Sequence, residues 1–434
     1  MKNFGVTLFT LMFLAKTGMA QPAKASLETQ LFNLPDVVFK KIDTPNGYDE
    51  AYELKIRQPL DHRHPEKGYF YQRVFLTHKG FDRPTVICTE GYDRPRNRVY
   101  ELTELLGANQ LDVEHRYFGE SVPDFIDYQY LNLEQATADL HHINQLFRQI
   151  YSGKWLSTGI SKGGQTTIFY RYFYPDDVDV SVPYVAPLNL ELEEKRIYAF
   201  LDTVGTAECR ANIKAVQIRL LKNRQEALTK LHWFSKGAKL KFTYLNPEQA
   251  FEYAVLEYPF SFWQWGHDCS KIPDTKAPLD STLNHFLEVS GLDFFSDESM
   301  ENYASHYYQA GDEMGYYGYK TGDFKGLLKA LPMQPYPSAV FMPKKIPASF
   351  DGELPRKVAR WLDEQGNHFI YINGDSDTWS ATAVRPSGKT NSVWFFMPKT
   401  DHGKARIKNM TKADREKLIS TLEGWLGVKI ERKE

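Results

Sequence analysis

The chain predicts an α/β fold interrupted once by a helical insertion, and three observations carry that reading. Short β-prone runs alternate with helix-compatible segments from about Pro84 to Val185. The alternation then stops, and from Asn189 to Pro335 helical patterns and loops follow one another without a convincing strand series. Strand signals return at His368 to Ile372 and Ser392 to Phe396, ahead of a closing amphipathic helix. Alternation of this kind reads as a mostly parallel sheet covered by helices. The expected division is a leader at 1–20, a first core part at 21–188, a helical cap at 189–335 and a second core part at 336–434.

Composition narrows the classes. With 434 residues and 42% hydrophobic content, the chain can bury a large core. The formal net charge is −2 and no Lys/Arg block stands out, so nucleic-acid binding has no electrostatic footprint. Lys2, the apolar run Phe4 to Ala15 and the small residues of Gly18-Met19-Ala20 read as a secretory leader cleaved after Ala20. That run is too short to span a bilayer and no other segment approaches the length needed, so a secreted or periplasmic protein without stable membrane insertion is expected. Cys88, Cys209 and Cys269 fit neither a disulfide scaffold nor a metal site, and no metal or cofactor is expected. Cys88 reads as a buried thiol; Cys209 and Cys269, both in the helical middle, are expected to pair. Oligomeric state has no signature here.

Element by element, the reading runs as a hairpin, a βα series, the insertion and a short βα return. Tyr52 to Ile56 alternates as a strand, a turn-rich stretch follows, and Tyr69 to Thr77 is a second strand, giving an antiparallel hairpin. Pro84 to Thr89 and Leu111 to Glu114 are strands around a helix at Arg98 to Leu106. Leu133 to Tyr151 is a long amphipathic helix, Trp155 to Ile160 a strand, Gln165 to Tyr172 a helix and Val178 to Val185 a strand. Within the insertion, Leu190 to Ala199, Ala211 to Leu231 and Pro247 to Leu256 read as helices, the last with Asn246 as N-cap and Pro247 at the first position. Tyr258 to Trp265 and Met314 to Tyr319 read as aromatic loops. Lys412 to Leu426 closes the chain as a helix capped by Thr411.

One motif ties this frame to chemistry. Gly159-Ile-Ser161-Lys-Gly163 stands between the strand ending at Ile160 and the helix that follows, which is the setting of a nucleophile elbow on an α/β-hydrolase sheet. A serine nucleophile needs a base, and the base needs an orienting carboxylate. On this fold they follow in the order Ser, Asp/Glu, His, in loops after late strands. After Ile372 come Asp375 and Asp377, which compete for the carboxylate role; after Phe396 comes His402, followed by Gly403. The oxyanion donors are expected to be the backbone N–H groups of Lys162 and of Tyr92, the latter in the loop after Thr89. Glu90 beside it can hold an α-amino group or serve in an ion pair with Arg94, Arg96 or Arg116.

These residues carry a resemblance. Gln58-Pro-Leu-Asp-His62, the Glu90-Gly91 turn, Glu114-His-Arg-Tyr-Phe-Gly-Glu-Ser121 and Asp377-Thr-Trp379 resemble secreted serine exopeptidases that include prolyl carboxypeptidase and dipeptidyl peptidase II. The elbow's continuation through Phe-Tyr-Pro175-Asp-Asp-Val-Asp179 to Tyr-Val-Ala-Pro187 is closer to the bacterial tripeptidyl aminopeptidase family, which includes prolyl tri/tetrapeptidyl aminopeptidases. So is the segment from Phe200 to Arg210. The resemblance covers nearly all of the chain after the leader. It implies an α/β-hydrolase core with a helical cap and a triad on Ser161, Asp377 and His402, favouring Asp377 over Asp375. Thr378 stands where the related Asp-Pro-Trp turn has proline, which leaves that turn less pre-set. It also implies that an acidic residue of the Glu90 type holds a substrate amino terminus, with Asp312 and Glu313 as second candidates and Trp379 beside the site. Residues 114–116 read as support beneath the site.

The expectation is therefore an exported serine exopeptidase acting on peptides with free N-termini, removing short pieces after proline. A carboxylesterase or lipase on the same fold, and a non-catalytic peptide- or glycan-binding protein on a hydrolase scaffold, are the rivals.

Overall fold

The computed structural model describes residues 25–335, 341–343 and 346–432. The expected leader and its cleavage point lie outside the described residues.

The strands are β1 (Val37–Lys41), β2 (Glu50–Pro59), β3 (Tyr69–His78), β4 (Thr85–Thr89), β5 (Asn109–Val113), β6 (Trp155–Ile160), β7 (Val180–Tyr184), β8 (Ile370–Gly374) and β9 (Val393–Met397). Among the described residues they form one nine-stranded sheet in the order β1-β2-β3-β5-β4-β6-β7-β8-β9. Pairing is antiparallel from β1 to β3 and between β3 and β5, and parallel from β5 through β4 to β9. This is an α/β-hydrolase sheet with an antiparallel N-terminal edge. The hairpin runs longer than its alternating core, pairing Glu50 with His78 and Pro59 with Tyr69. β1 falls in what the sequence offers as an irregular lead-in, because a short, mostly exposed edge strand ending in Lys40 and Lys41 carries little apolar alternation.

Helices cover both faces. On one, α2 (Glu101–Leu106) and α13 (Lys412–Leu426) pack Leu102, Leu418 and Leu422 against Val86, Leu156 and Val182. On the other, α1 (Leu27–Phe32), α3 (Leu133–Arg148), α4 (Lys162–Phe173) and α12 (Glu353–Gln365) lie over the sheet. Central strands are buried on both faces, so they read as unbroken apolar runs.

Between β7 and β8 the chain leaves the sheet. It forms α5 (Arg196–Thr203), α6 (Ala207–Lys222), α7 (Arg224–Gly237), α8 (Pro247–Gln264), α9 (Leu279–Ser290), α10 (Asp297–Asn302) and α11 (Ala304–Gln309). These helices share a core of their own around Ile213, Phe251, Tyr258, Phe286 and Phe295. Three sequence expectations change here. The helix expected from Leu190 begins at Arg196, because Glu194 turns back to accept the N–H groups of Leu190 and Arg196 at 2.8 and 3.2 Å. The helix expected over Ala211 to Leu231 is two, divided at Asn223.

The third change matters most for the site. The aromatic stretch after Leu256 is not a loop: α8 continues through it to Gln264, with Pro259 inside. Proline cannot donate to the carbonyl four residues back. Here Gln217 on α6 supplies the missing donor, its Nε2 reaching Val255 O at 2.7 Å. At the other end, Asn246 and Gln249 form a capping box with Pro247 in the first turn.

A disulfide joins Cys209 on α6 to Cys269, five residues past the end of α8, while Cys88 is a buried free thiol in β4. Among the described residues no helix is long and apolar enough to cross a membrane.

Candidate active site

The elbow is assembled by close backbone packing. Ser161 adopts φ 59° and ψ −123°, a strained region for a residue with a Cβ. Its N–H donates to Tyr184 O at 2.9 Å, and its own carbonyl accepts the Gln165 N–H at 2.9 Å, opening α4. A Cβ at Gly159 would meet Gly163 O at 2.3 Å, and one at Gly163 would meet Thr89 O at 2.4 Å. Glycine at both positions is therefore a packing requirement of the turn.

Asp377 and His402 come together from the two late loops. His402 Nδ1 lies 2.7 Å from Asp377 Oδ2, and the Trp379 N–H donates to Asp377 Oδ1 at 3.0 Å. Asp377 is 0% and His402 5% exposed. With Nδ1–H directed at the carboxylate, Nε2 is the nitrogen left for another partner. Asp375, the competing aspartate, is exposed and accepts the Ser376 hydroxyl at 2.9 Å. Both late loops are tied to the end of α8. Thr378 Oγ1 donates to Phe260 O at 2.9 Å, and the His402 N–H donates to Gln264 O at 3.0 Å. The threonine standing in the proline position thus gains a bond that proline could not make.

Ser161, Lys162, Tyr92 and His402 all line one cavity of about 1230 Å³ between sheet and cap. Glu90 lines it too, but its carboxylate is engaged by Arg94, by the Tyr100 hydroxyl and, at 3.4 Å, by Arg98. Arg96 and Arg116, the other partners considered for it, are not among these contacts. Beneath this group Asp112 is fully buried with Arg94 Nε at 3.0 Å. Burial and then the neighbouring Glu90 charge push its carboxyl well above the usual range.

The remaining candidates divide by position. Trp379 lines the cavity and stands with Phe260, Tyr317 and Tyr316 in an aromatic wall, ring centroids 5.2, 5.6 and 6.1 Å away. Asp312 and Glu313 sit in a π-helical turn, Ala310–Met314, outside the lining. Asp312 accepts the Ser349 hydroxyl, and Glu313 accepts the Leu133 N–H. Burial, then the Asp312 charge, raises Glu313 to about 8.

A buried lining carboxylate escaped the sequence reading. Glu257 on α8 is 3% exposed and accepts the hydroxyls of Ser261, Tyr317 and Tyr319, each at 2.8 Å. Burial raises its carboxyl to about 7 against the opposing pull of these three hydroxyl bonds. The available signal was a lone carboxylate between apolar and aromatic neighbours, Leu256 and Tyr258.

Behind the site, the Glu114-His-Arg116 segment is a buried polar scaffold. Arg116 pairs with Asp139 through Nε and Nη2, both at 2.7 Å, and donates to the carbonyls of Leu60 and Tyr130. Glu114 accepts the N–H groups of Arg94 and Glu120 at 2.7 and 2.8 Å, so it holds the Glu90 loop against the loop after β5.

Comparison with known proteins gives the family. A family model described as PS-10 peptidase S37 matches residues 20–433. Prolyl tri/tetrapeptidyl aminopeptidase of Streptomyces mobaraensis is 32% identical over 417 residues, 93% of this chain and 86% of that protein. Serine protease vicPb of Bipolaris victoriae is 40% identical over 104 residues, 20% of this chain and 19% of that one. Among solved structures, a proline iminopeptidase of Mycobacterium smegmatis covers 86% of this chain and 98% of its own at 12% identity, with a TM-score of 0.43. A family match over residues 20–433, together with 32% identity over 93% of the chain, leads to one conclusion: this chain is a serine peptidase and belongs to the PS-10 peptidase S37 family.

Proposed function

We propose that this serine peptidase is an exported exopeptidase that releases tri- and tetrapeptides from free N-termini, favouring proline at the carbonyl that is attacked. The observation that carries the reading is the 2.7 Å hydrogen bond to buried Asp377 from His402, which lines the same cavity as the strained Ser161. In this mechanism Ser161 Oγ attacks the scissile carbonyl and passes its proton to His402 Nε2. Asp377 holds the imidazole in the required tautomer and stabilises it once charged. His402 then protonates the leaving amine, and water releases the acyl group with His402 as base. Backbone N–H groups of Lys162 and Tyr92 receive the developing oxyanion. This route needs no metal or cofactor.

Substrate preference rests on the cavity wall and on the relative's name. The Streptomyces protein's description supports tri- and tetrapeptide release. The wall of Trp379, Phe260, Tyr316 and Tyr317 suits the rigid apolar ring of proline. The exposed lining acids Asp93, Glu288, Asp293 and Glu301 favour an approaching ammonium group, while Glu90 in the same lining is held by Arg94 and Arg98. Asp312 and Glu313 lie outside the lining and accept bonds from Ser349 and Leu133, so they are the weaker candidates for holding the ammonium group. Export is supported by the Cys209–Cys269 disulfide, which persists in oxidising compartments.

The test is mass spectrometry of products from a mixed peptide library, with and without N-terminal acetylation. Short N-terminal fragments that vanish on acetylation are expected. Cleavage of acyl esters with peptides untouched would replace this reading by a carboxylesterase. Failure to react with a fluorophosphonate would leave a binding protein on a hydrolase scaffold.

A further inference from the structure

Lys162 lies directly beneath the turn that carries Tyr92 and is 3% exposed. Its Nζ donates to Gly91 O at 2.6 Å. The rings of Tyr92 and Phe118 flank the amine, with centroids 5.4 and 4.8 Å from Nζ. Burial holds this amine well below the usual lysine range, against the opposing pull of the Glu313 carboxyl. An amine has N–H donors whether neutral or protonated, so the bond to Gly91 survives either state.

The acceptor is what gives this bond its consequence. Gly91 C=O and Tyr92 N–H belong to the same peptide unit. A trans peptide is planar, with C=O and N–H directed oppositely, and no cis peptide occurs among the described residues. Fixing the direction of the Gly91 oxygen therefore fixes the direction of the Tyr92 N–H. Neighbouring units are held separately: Glu90 N–H donates to Val113 O at 3.2 Å, and Tyr92 O accepts the His115 N–H at 3.1 Å. A Cβ at residue 91 would lie 2.6 Å from Lys162 Cβ and 2.8 Å from Gly163 N, so the loop rests on the elbow with no room between.

We propose that Lys162 is a positioning residue for the oxyanion hole: its Nζ orients the Gly91–Tyr92 peptide so that the Tyr92 N–H is presented, while its own backbone N–H is the second donor. The proposal rests on the hydrolytic mechanism above. A single residue then sets both donors and the spacing between them. The alternative role for this side chain is filler between two aromatic rings, which any unbranched chain of similar length could perform.

Lys162→Met separates the two roles, since it keeps the backbone N–H and the packing and removes the donor. Losing an oxyanion donor costs about 100- to 1,000-fold in kcat, and misaligning one costs less. We expect kcat for a tripeptide amide to fall about 10- to 100-fold with KM within about threefold. Affinity for a peptide aldehyde should fall by the same factor as kcat, with affinity for the product tripeptide unchanged. A folded Lys162→Met enzyme with kcat within about threefold of the parent would overturn the proposal. Should that variant not fold, Lys162→Ala assayed with rising propylamine reads the same bond. Recovery of kcat with amine supports the proposal, and no recovery overturns it. The mechanism is tested apart from this by fluorophosphonate labelling, present in the parent protein and absent in Ser161→Ala.

Discussion

Asp375 and Asp377 are two residues apart in one turn, yet only Asp377 meets the imidazole, at 2.7 Å, while Asp375 faces solvent. Loss of the orienting aspartate in a Ser-His-Asp site costs about 10⁴ in kcat because the imidazole takes the wrong tautomer. Asp377→Asn should therefore reduce tripeptide-amide hydrolysis by about that factor, and Asp375→Asn by less than about twofold; equal effects would sink the assignment. The pair shows how far a sequence reaches at this scale. The ends of two strands point to the right loops, and likeness to the Asp-Pro-Trp turn favours Asp377, but both aspartates are ordinary turn formers. Glu257 was beyond reach for a different reason. Its partners Tyr317 and Tyr319 come from 60 and 62 positions away, so its setting between Leu256 and Tyr258 does not say what it bonds. It also titrates in a useful range. The folded protein raises this carboxyl from 4.5 to about 7 by burial, so the fold binds its proton more tightly than the unfolded chain does. Its contribution to stability is present in full below the unfolded value and is lost as pH rises through about 7. Glu257→Gln removes this dependence and leaves that of Glu313, which has the same sign. Urea denaturation should show the parent losing stability relative to the variant between pH 5 and pH 8. A difference that is the same at both pH values would refute the assignment.

Among the elements, α8 departs furthest from its sequence signal and matters most to the site. Its first half is announced by Asn246, Pro247 and Gln249, a start signal written in adjacent residues. Its second half contains Pro259, which locally argues for a stop. Tertiary structure overrides that argument because Gln217 on α6 takes the Val255 carbonyl that proline leaves free. Sequence windows cannot see a donor 38 positions away. The same logic applies to β1, whose edge position removes the apolar alternation that marks β2 and β3. A double-mutant cycle tests the repair in α8. Gln217→Met should cost about 1–3 kcal/mol by leaving a buried carbonyl unpaired. In a Pro259→Ala background the helix provides its own N–H, and the same substitution should cost under about 0.5 kcal/mol. Equal costs in both backgrounds would show that Gln217 stabilises α8 by packing alone.

At the scale of the molecule, the fold class and the single helical excursion were legible because most strands and helices carry a signal of their own. The docking of cap on core was not, since it rests on bonds between distant loops. Thr378 reaches Phe260 across 118 positions, and the His402 N–H reaches Gln264. The loops bearing Asp377 and His402 are thus anchored to the last turns of α8. The Cys209–Cys269 disulfide fastens the chain just beyond that helix back to α6, across a sequence separation of 60. Loop-closure entropy for a ring of this size sets an upper stabilisation of about 4 kcal/mol, with 2–4 typical of native disulfides. That stabilisation falls on the cap, whose helices share a core distinct from the clusters under the sheet. Replacing both cysteines by alanine should therefore loosen α8 before the sheet melts, and the Asp377 and His402 loops should lose their alignment with it. In the parent protein the thermal midpoints of peptidase activity and of far-ultraviolet circular dichroism should coincide. In the Cys209→Ala/Cys269→Ala variant the activity midpoint should fall several degrees below the dichroism midpoint, as about 2–4 kcal/mol is withdrawn from one part of the fold. Coincident midpoints in both proteins would mean that cap and core unfold as one unit and that the disulfide stabilises them equally.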